Sequence, residues 1–500
     1  MSFAFEFDDS EIDEEYQAFS APSTSSPTAQ PPSLASTSKP TAAPQAPFKQ
    51  WPLHHLIDSL PSRISYSPIT IHLDPRNAQN RQATLMRRDL FDARFQMLLD
   101  QQDDHDLEHE HDHDDGHGGT RPSPPAQTQQ EEQENKAVAG VDSDLVPGVY
   151  EGGLKTWECA LDLVATLDQR CTPTSPAETR PDWGWLRGKS ILELGCGTAI
   201  PSVFLLQQLL NLEPAPSPSS SPSSSPSAPT ALHLCDYNLQ VLRLVTLPNL
   251  ILAWYFSAAS HAYRTSAQTL EARHEETRQL KSRGQDHFDT AARAEASSAS
   301  AEGAGPGELS LDDSLCDAFQ KSLDERNISL RFYSGSWQGL QPEEILADAA
   351  GASSAKEQAS TASRGYFDLI LSAETIYSLD TLPLFTDVLR RCCKPSAPPT
   401  LSGLDERLAR SSLAQAHESA STTGPGTASA AETAKDDGPT TLCLVGAKVL
   451  YFGVGGGVES FKQQMQTPPP GSRKGWTETV RTVSQGVGRV VLSVGILPGA

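Results

Sequence analysis

No Cys-x-x-Cys pair occurs anywhere in the 500 residues, and two of the eight cysteines, Cys392 and Cys393, are adjacent. That arrangement excludes the common zinc spacings and makes a poor disulfide framework, so a reducing compartment is the expectation. Long apolar runs are also missing: no stretch of about 18 apolar residues offers a helix for crossing a membrane. The chain starts on "MSFAFEFDDSEIDEE", acidic and without a basic head or an apolar core, so no secretory signal is read there. Positive charge is scarce. Lys and Arg number 39 against 63 Asp and Glu, and the net charge of −24 argues against unspecific binding to nucleic acid, which needs cations for phosphate. Apolar residues are few as well, at 37% with 38 prolines. Length alone would allow about three domains, but this composition cannot fill three cores. A soluble, monomeric protein of the cytoplasm and nucleus, with basic partners, is the expectation.

The polar material is gathered in blocks. Residues 1–140 read as mostly disordered with short ordered islands at about 51–100, and 141–500 as one domain interrupted by disordered insertions at about 212–230, 257–325, 350–364 and 395–438. One acidic run, "DQQDDHDLEHEHDHDDGHGG", carries His105, His109, His111, His113 and His117. It offers loose metal ligation or a solvated tract; composition favours the tract, and no metal centre is expected. The ordered pieces amount to roughly 200 residues, the size of one large domain.

These pieces alternate in type. "SILEL" (190–194), "ALHLCD" (231–236), "ISLRFY" (328–333), "FDLILS" (367–372) and "TLCLVGAKV" (441–449) are short apolar runs of strand character. Between them "IPSVFLLQQLL", "NLQVLRLVTLPNLILAW" and "DTLPLFTDVLRRCC" have helical spacing, the second with an expected break at Pro248. Buried strands alternating with helices predict a parallel, doubly wound α/β sheet with right-handed crossovers.

In such a sheet ligands bind beyond the carboxyl ends of the strands, where strand order reverses. "ELGCGTAIP" puts Glu193, Gly195, Cys196 and Gly197 at the end of the first strand, before a helix whose free N–H groups suit an anionic or polar ligand. Ile200 stands where a dinucleotide fingerprint needs its third glycine. Read alone, the loop is also the tight turn of any strand–helix junction. Asp236 ends the next strand, within "CDYN" (Asp236, Tyr237, Asn238), where a carboxylate can grip a ribose diol or cap a helix. "SGSW" (Gly335, Ser336, Trp337) closes the third strand with either an adenine wall or a core tryptophan.

Glycine loop and strand-end acid together resemble the class I methyltransferases, which bind S-adenosylmethionine. More narrowly, "PGVYEGGLKTWEC", "ILELGCGTAIPSV", "CDYN", "SGSW", "LILSAETIYS" and "AKVLYFGVGGGVESF" are similar to the eukaryotic protein-histidine N-methyltransferase family, as are "SFAFEF", "LPSRISYSPI" and "LMRRDLFDARFQM" before the domain. The resemblance implies a seven-stranded class I methyltransferase sheet, S-adenosylmethionine as cofactor, and a histidine of a large-subunit ribosomal protein as substrate. It also implies that Thr156, Trp157 and Glu158 form the wall of the cofactor site facing the glycine loop, with Trp157 near the sulfonium; a core anchor is the other reading of that tryptophan. In "ETIY" (374–377), Glu374 and Tyr377 are the catalytic candidates, Glu374 as acceptor of the imidazole N–H or, alternatively, as a structural acid. The glycine-rich 451–457 reads as a flexible rim. A lysine methyltransferase, an NAD-dependent oxidoreductase and a non-catalytic ribosome-assembly factor are the rival readings.

Overall fold

A computed structural model of the chain describes residues 46–73, 81–97, 145–146, 150–151, 153–171, 182–214, 228–267, 305–349, 365–398, 440–451 and 455–498. The histidine-rich run and most of the Pro/Ser block lie outside the described residues.

The central sheet is built from β1 (Lys49–Trp51), β6 (Ser190–Leu194), β7 (Thr230–Asp236), β9 (Ile328–Ser334), β10 (Leu369–Ala373), β11 (Leu442–Lys448), β12 (Gly475–Val483) and β13 (Arg489–Ile496). Its order is β1-β9-β7-β6-β10-β11-β13-β12. From β9 through β11 all pairs are parallel. Strand β13 runs antiparallel to β11 and β12, and β1 antiparallel to β9. Strand order reverses at β6, which is hydrogen-bonded to β7 on one side and β10 on the other.

Side chains alternate across the sheet with the two-residue period of a strand. Ile191, Leu369, Leu371 and Leu444 join the core on one face, and Leu192, Leu194, Ile370, Cys443 and Val445 the core on the other. Because both faces are covered, these strands read as unbroken apolar runs. Each such buried side chain contributes about 1.5–3 kcal/mol. Helices α3 (Glu158–Cys171) and α4 (Ile200–Asn211) serve the first face, as does α5, a helical path over 239–255. Helices α7 (Pro342–Ala349), α8 (Leu382–Cys392) and α9 (Val458–Gln466) serve the second.

Three expectations need correction. The sheet has eight strands, not seven, because the chain before the domain supplies β1. A three-residue strand has no periodicity to read; docking makes it, through Trp51 Nε1 donating to Ser334 Oγ at 2.8 Å and Phe48 stacking on Tyr333 at 5.4 Å. Second, 257–325 is not disordered throughout, since 257–267 and 305–325 are ordered. Strand β8 (Gly307–Ser310) joins β2 (Arg63–His72) and β3 (Gln82–Arg88) in an antiparallel sheet. Helix α6 (Asp313–Glu325), capped by Asp312 accepting from the Leu315 N–H at 2.8 Å, follows it. The buried stripe of α6 (Leu315, Phe319, Leu323) is set in a polar sequence that masks it, and Phe319 packs its ring 5.8 Å from Trp254.

Third, α5 does not break at Pro248. A π-helical turn, Leu242–Thr246, comes just before, so proline occupies the first turn of a renewed α-helix, where its missing N–H costs little. Among the described residues no single helix is long and apolar enough to cross a membrane. All eight cysteines are unpaired.

Candidate active site

The loop after β6 turns sharply because Gly195, Gly197 and Ala199 all take left-handed backbone, with φ of 62°, 50° and 53°. A Cβ on Gly195 would meet Thr375 Cγ2 at 2.6 Å and lie 3.7 Å from the Trp337 ring. On Gly197 it would meet the Gly153 carbonyl at 3.1 Å. Glycine is therefore what lets β10's end, the SGSW turn and the "EGG" stretch converge on this loop.

Polar groups hold the loop from several sides. Cys196 N–H donates to Cys235 O at 2.9 Å and Gly197 N–H to Asp236 Oδ2 at 3.0 Å. Thr246 Oγ1 donates to Gly197 O at 2.6 Å, and Asn249 Nδ2 to Thr198 O at 2.9 Å. Ser372 Oγ ties β10 to the Leu194 carbonyl at 2.8 Å. Glu193 sits beneath the loop, where Oε2 accepts the Ser202 N–H of α4 at 3.0 Å. Burial pushes its carboxyl up to about 8 against the pull of the Ser202 hydrogen bonds. The Cys196 thiol is buried and its pKa is driven well up, so its backbone, not its sulfur, belongs to the site.

Asp236 ends β7 with Oδ2 on Gly197 N–H and Oδ1 on Asn238 N–H at 3.1 Å. Asn238 caps the following turn by accepting from Gln240 N–H at 2.9 Å. Tyr237 is exposed, and its carbonyl accepts the Gly335 N–H at 3.0 Å. Gly335 (φ 99°) leaves no room for a Cβ beside Pro47, and Ser336 N–H donates to Ala46 O at 2.9 Å. Residues 46–48 thus cover the backbone of this turn and leave the half-buried Trp337 ring as its side-chain contribution. The Trp337 ring is half-buried against Phe385, and Nε1 is buried with no acceptor.

The α3 start meets the same loop: Thr156 Oγ1 donates to Thr198 Oγ1 at 3.1 Å. Two ammonium groups lie over the Trp157 ring, Lys155 Nζ at 5.1 Å and Lys448 Nζ at 4.8 Å from its centroid. Glu158 is half-exposed and pairs with Lys448 at 3.9 Å. The aromatic face assigned to a sulfonium is therefore already a cation-binding face.

Glu374 follows β10 in left-handed backbone (φ 57°), its N–H donating to Gly446 O at 2.9 Å. Tyr451 Oη donates to Glu374 Oε2 at 2.5 Å, while Oε1 is buried without a hydrogen-bond donor. Burial raises the Glu374 pKa; the Cys159 thiol, Tyr451 and the Lys448 charge oppose the rise, and Glu158 adds to it. Tyr377 meets the Tyr451 ring edge-on at 6.4 Å. Its carbonyl accepts the Gly456 N–H at 2.9 Å, and Ser378–Gly455 and Leu450–Gly457 form isolated bridges. The rim at 455–457 is thus fastened to the ETIY turn.

Five residues of this arrangement escaped sequence reading: Arg88, Thr246, Asn249, Lys448 and Tyr451. Thr246 and Asn249, fully buried within "LRLVTLPNLIL", carry the one legible signal, polar residues interrupting an apolar helix. Arg88 reaches α5 from β3, donating from Nη1 to Leu244 O at 2.8 Å and from its N–H to Asn249 Oδ1 at 2.7 Å.

A glycine loop after the first parallel strand, an acid after the second and an antiparallel strand between β11 and β12 define the class I methyltransferase fold. Within that class the chain is similar to proteins named histidine protein methyltransferase 1, the family its motifs resemble. It is 26% identical over 352 residues to the protein of that name from Schizosaccharomyces pombe, covering 70% of this chain and 66% of that one. With that of Saccharomyces cerevisiae it shares 28% identity over 246 residues, 49% of each chain. The Bos taurus protein named histidine protein methyltransferase 1 homolog matches at 34% over 109 residues, 22% of this chain and 21% of that one. The matched region thus spans 66% of the length of one yeast relative and 49% of the other, less than two-thirds of either. No protein-family model matches the chain.

Proposed function

We propose that the protein transfers a methyl group from S-adenosylmethionine to an imidazole nitrogen of a histidine in a protein substrate, a basic large-subunit ribosomal protein, acting as a monomer in the cytoplasm and nucleus. The observation that carries this reading is a buried carboxyl, Glu374, whose Oε1 has no donor, next in the chain to Thr375, which lies against Gly195 of the glycine loop. The net charge of −24 suits a basic protein partner.

The residues fit the cofactor. Gly195 and Gly197 keep the loop free of side chains beside the Trp337 ring, whose Nε1 has no acceptor. Asp236 stands at the carboxyl end of β7 with its carboxylate on the Gly197 N–H of the loop, the place where an acid suits a ribose diol. Trp157 and Glu158 supply an aromatic and an anionic group for a cation. When bound, S-adenosylmethionine supplies a methyl group on a positively charged sulfur and becomes a neutral thioether on losing it.

The chain's own work is alignment and charge placement. The attacking imidazole nitrogen carries no proton, so no base is needed to create the nucleophile. The other ring nitrogen must keep its proton, and Glu374 Oε1 is the acceptor that would hold it there. As the nitrogen–carbon bond forms, positive charge passes to the ring, and the fixed carboxylate stabilises it.

Incubating the protein with methyl-labelled S-adenosylmethionine and large-subunit ribosomal proteins, then hydrolysing the products to amino acids, tests the reading. Label should run as methylhistidine, with a rate that rises through about pH 6.5 as imidazole becomes neutral. Label in methyllysine, with a rate still climbing above about pH 8, would contradict it.

A further inference from the structure

We infer that Tyr451 is the positioning residue of the Glu374 carboxyl, fixing Oε2 so that Oε1 is the single acceptor held for the ring N–H of the substrate. The inference deepens the histidine reading and rests on it.

Three observations carry it. Left-handed backbone costs a non-glycine residue about 1 kcal/mol or more, so something must hold Glu374 there. Its backbone is held by Gly446 O, and its side chain by Tyr451 at 2.5 Å, a length typical of hydrogen bonds to an ionised oxygen. Second, the Tyr451 hydroxyl accepts the Lys448 N–H at 3.2 Å, which commits its one proton to Glu374. Third, Oε1 is buried and lacks a donor, a state that costs about 1–3 kcal/mol unless a partner arrives. Tyr377, on the ETIY turn itself, packs edge-on against the Tyr451 ring at 6.4 Å.

The groups around the dyad are Cys159 and Glu158 from α3 and Lys448 from β11, with Asp162 and Arg489 acting on Cys159. Among them Tyr451 donates to Oε2, and the nearby Cys159 thiol also favours the charged form of the carboxyl. Removing the Tyr451 hydroxyl therefore raises the Glu374 pKa further. The carboxylate then survives only at higher pH, and its contribution to the acid limb of the rate profile, beside that of the substrate imidazole, moves up.

The test uses the full chain, methyl-labelled S-adenosylmethionine and unmethylated large-subunit ribosomal proteins. Tyr451→Phe should cut kcat by about 10- to 100-fold, in the range of lost proton-holding groups. Its affinity for S-adenosylhomocysteine should stay within about twofold, a bound set because Tyr451 makes no bond to the glycine loop, and its acid limb should shift upward. Glu374→Gln keeps an oxygen for Tyr451 and hence the packing, so it reads the same dyad independently. It should lower kcat and leave only the limb near about pH 6.5 that the substrate imidazole sets, and the double variant should be no slower than Glu374→Gln alone. A Tyr451→Phe enzyme with wild-type kcat and pH profile overturns the inference. So does a loss matched by falling cofactor affinity and melting temperature with the limb in place, which marks a structural staple. If wild type labels no histidine, the functional reading fails, and the inference with it.

Discussion

Thr246 Oγ1 donates to the carbonyl of Gly197 at 2.6 Å, joining the end of a π-helical turn in α5 to the glycine loop of the candidate cofactor site. The turn places one hydroxyl where a regular helix would aim it elsewhere, a recurrent use of π-turns at functional sites. Thr246→Val keeps shape and removes this bond. Calorimetry with S-adenosylhomocysteine should show binding weakened by about 1 kcal/mol, roughly fivefold, with a small change in melting temperature. Unchanged affinity would show that the loop holds without Thr246.

Arg88 links the antiparallel sheet to the same helix. Its side chain is 1% exposed and donates from Nε to Asp92 Oδ2 at 2.6 Å as well as to the Leu244 carbonyl. Arg88→Met leaves Asp92 without its cation and that carbonyl without its donor. Urea unfolding should show a loss of about 3 kcal/mol, the cost of breaking a buried ion pair from one side. A loss within about 0.5 kcal/mol, typical of surface changes, would remove Arg88 from the framework of the site.

Glu193 gives stability a definite pH dependence. Its folded carboxyl titrates near 8 rather than the ordinary 4.5, because burial outweighs the Ser202 hydrogen bonds and Asp236 adds repulsion. Between those values the folded chain keeps a proton that the unfolded chain has lost, so its contribution is full below the window and falls as pH rises through it. Glu193→Gln retains an acceptor for Ser202. Melting temperatures should show the variant gaining on wild type from pH 5 to 8, and a constant difference across that range would contradict the assignment.

The parallel strands and the glycine loop were legible because strands buried on both faces leave continuous apolar runs, and because left-handed turns call for glycine. "SILEL" and "ALHLCD" become β6 and β7, with Asp236 at the carboxyl end. What could not be read depends on distant partners. Strand β1 exists through Trp51 and Phe48 docking on β9, and β12, "GWTETVRTV" at the sheet edge, is mostly polar with no two-residue apolar period. Tyr451 sits in a glycine-rich stretch, and its pairing with Glu374 spans 77 positions, which no local pattern encodes. Glu374 itself was found from its motif, but its left-handed backbone and buried oxygen belong to tertiary structure alone.

Site-resolved mass spectrometry after reaction of wild type and Glu374→Gln with S-adenosylmethionine and large-subunit ribosomal proteins tests the central claim most directly. The account predicts one added methyl group on a histidine imidazole nitrogen with wild type, and the same position modified far more slowly, at unchanged cofactor affinity, with Glu374→Gln. A methyl group on lysine, or equal rates of histidine modification by the two proteins, would contradict it.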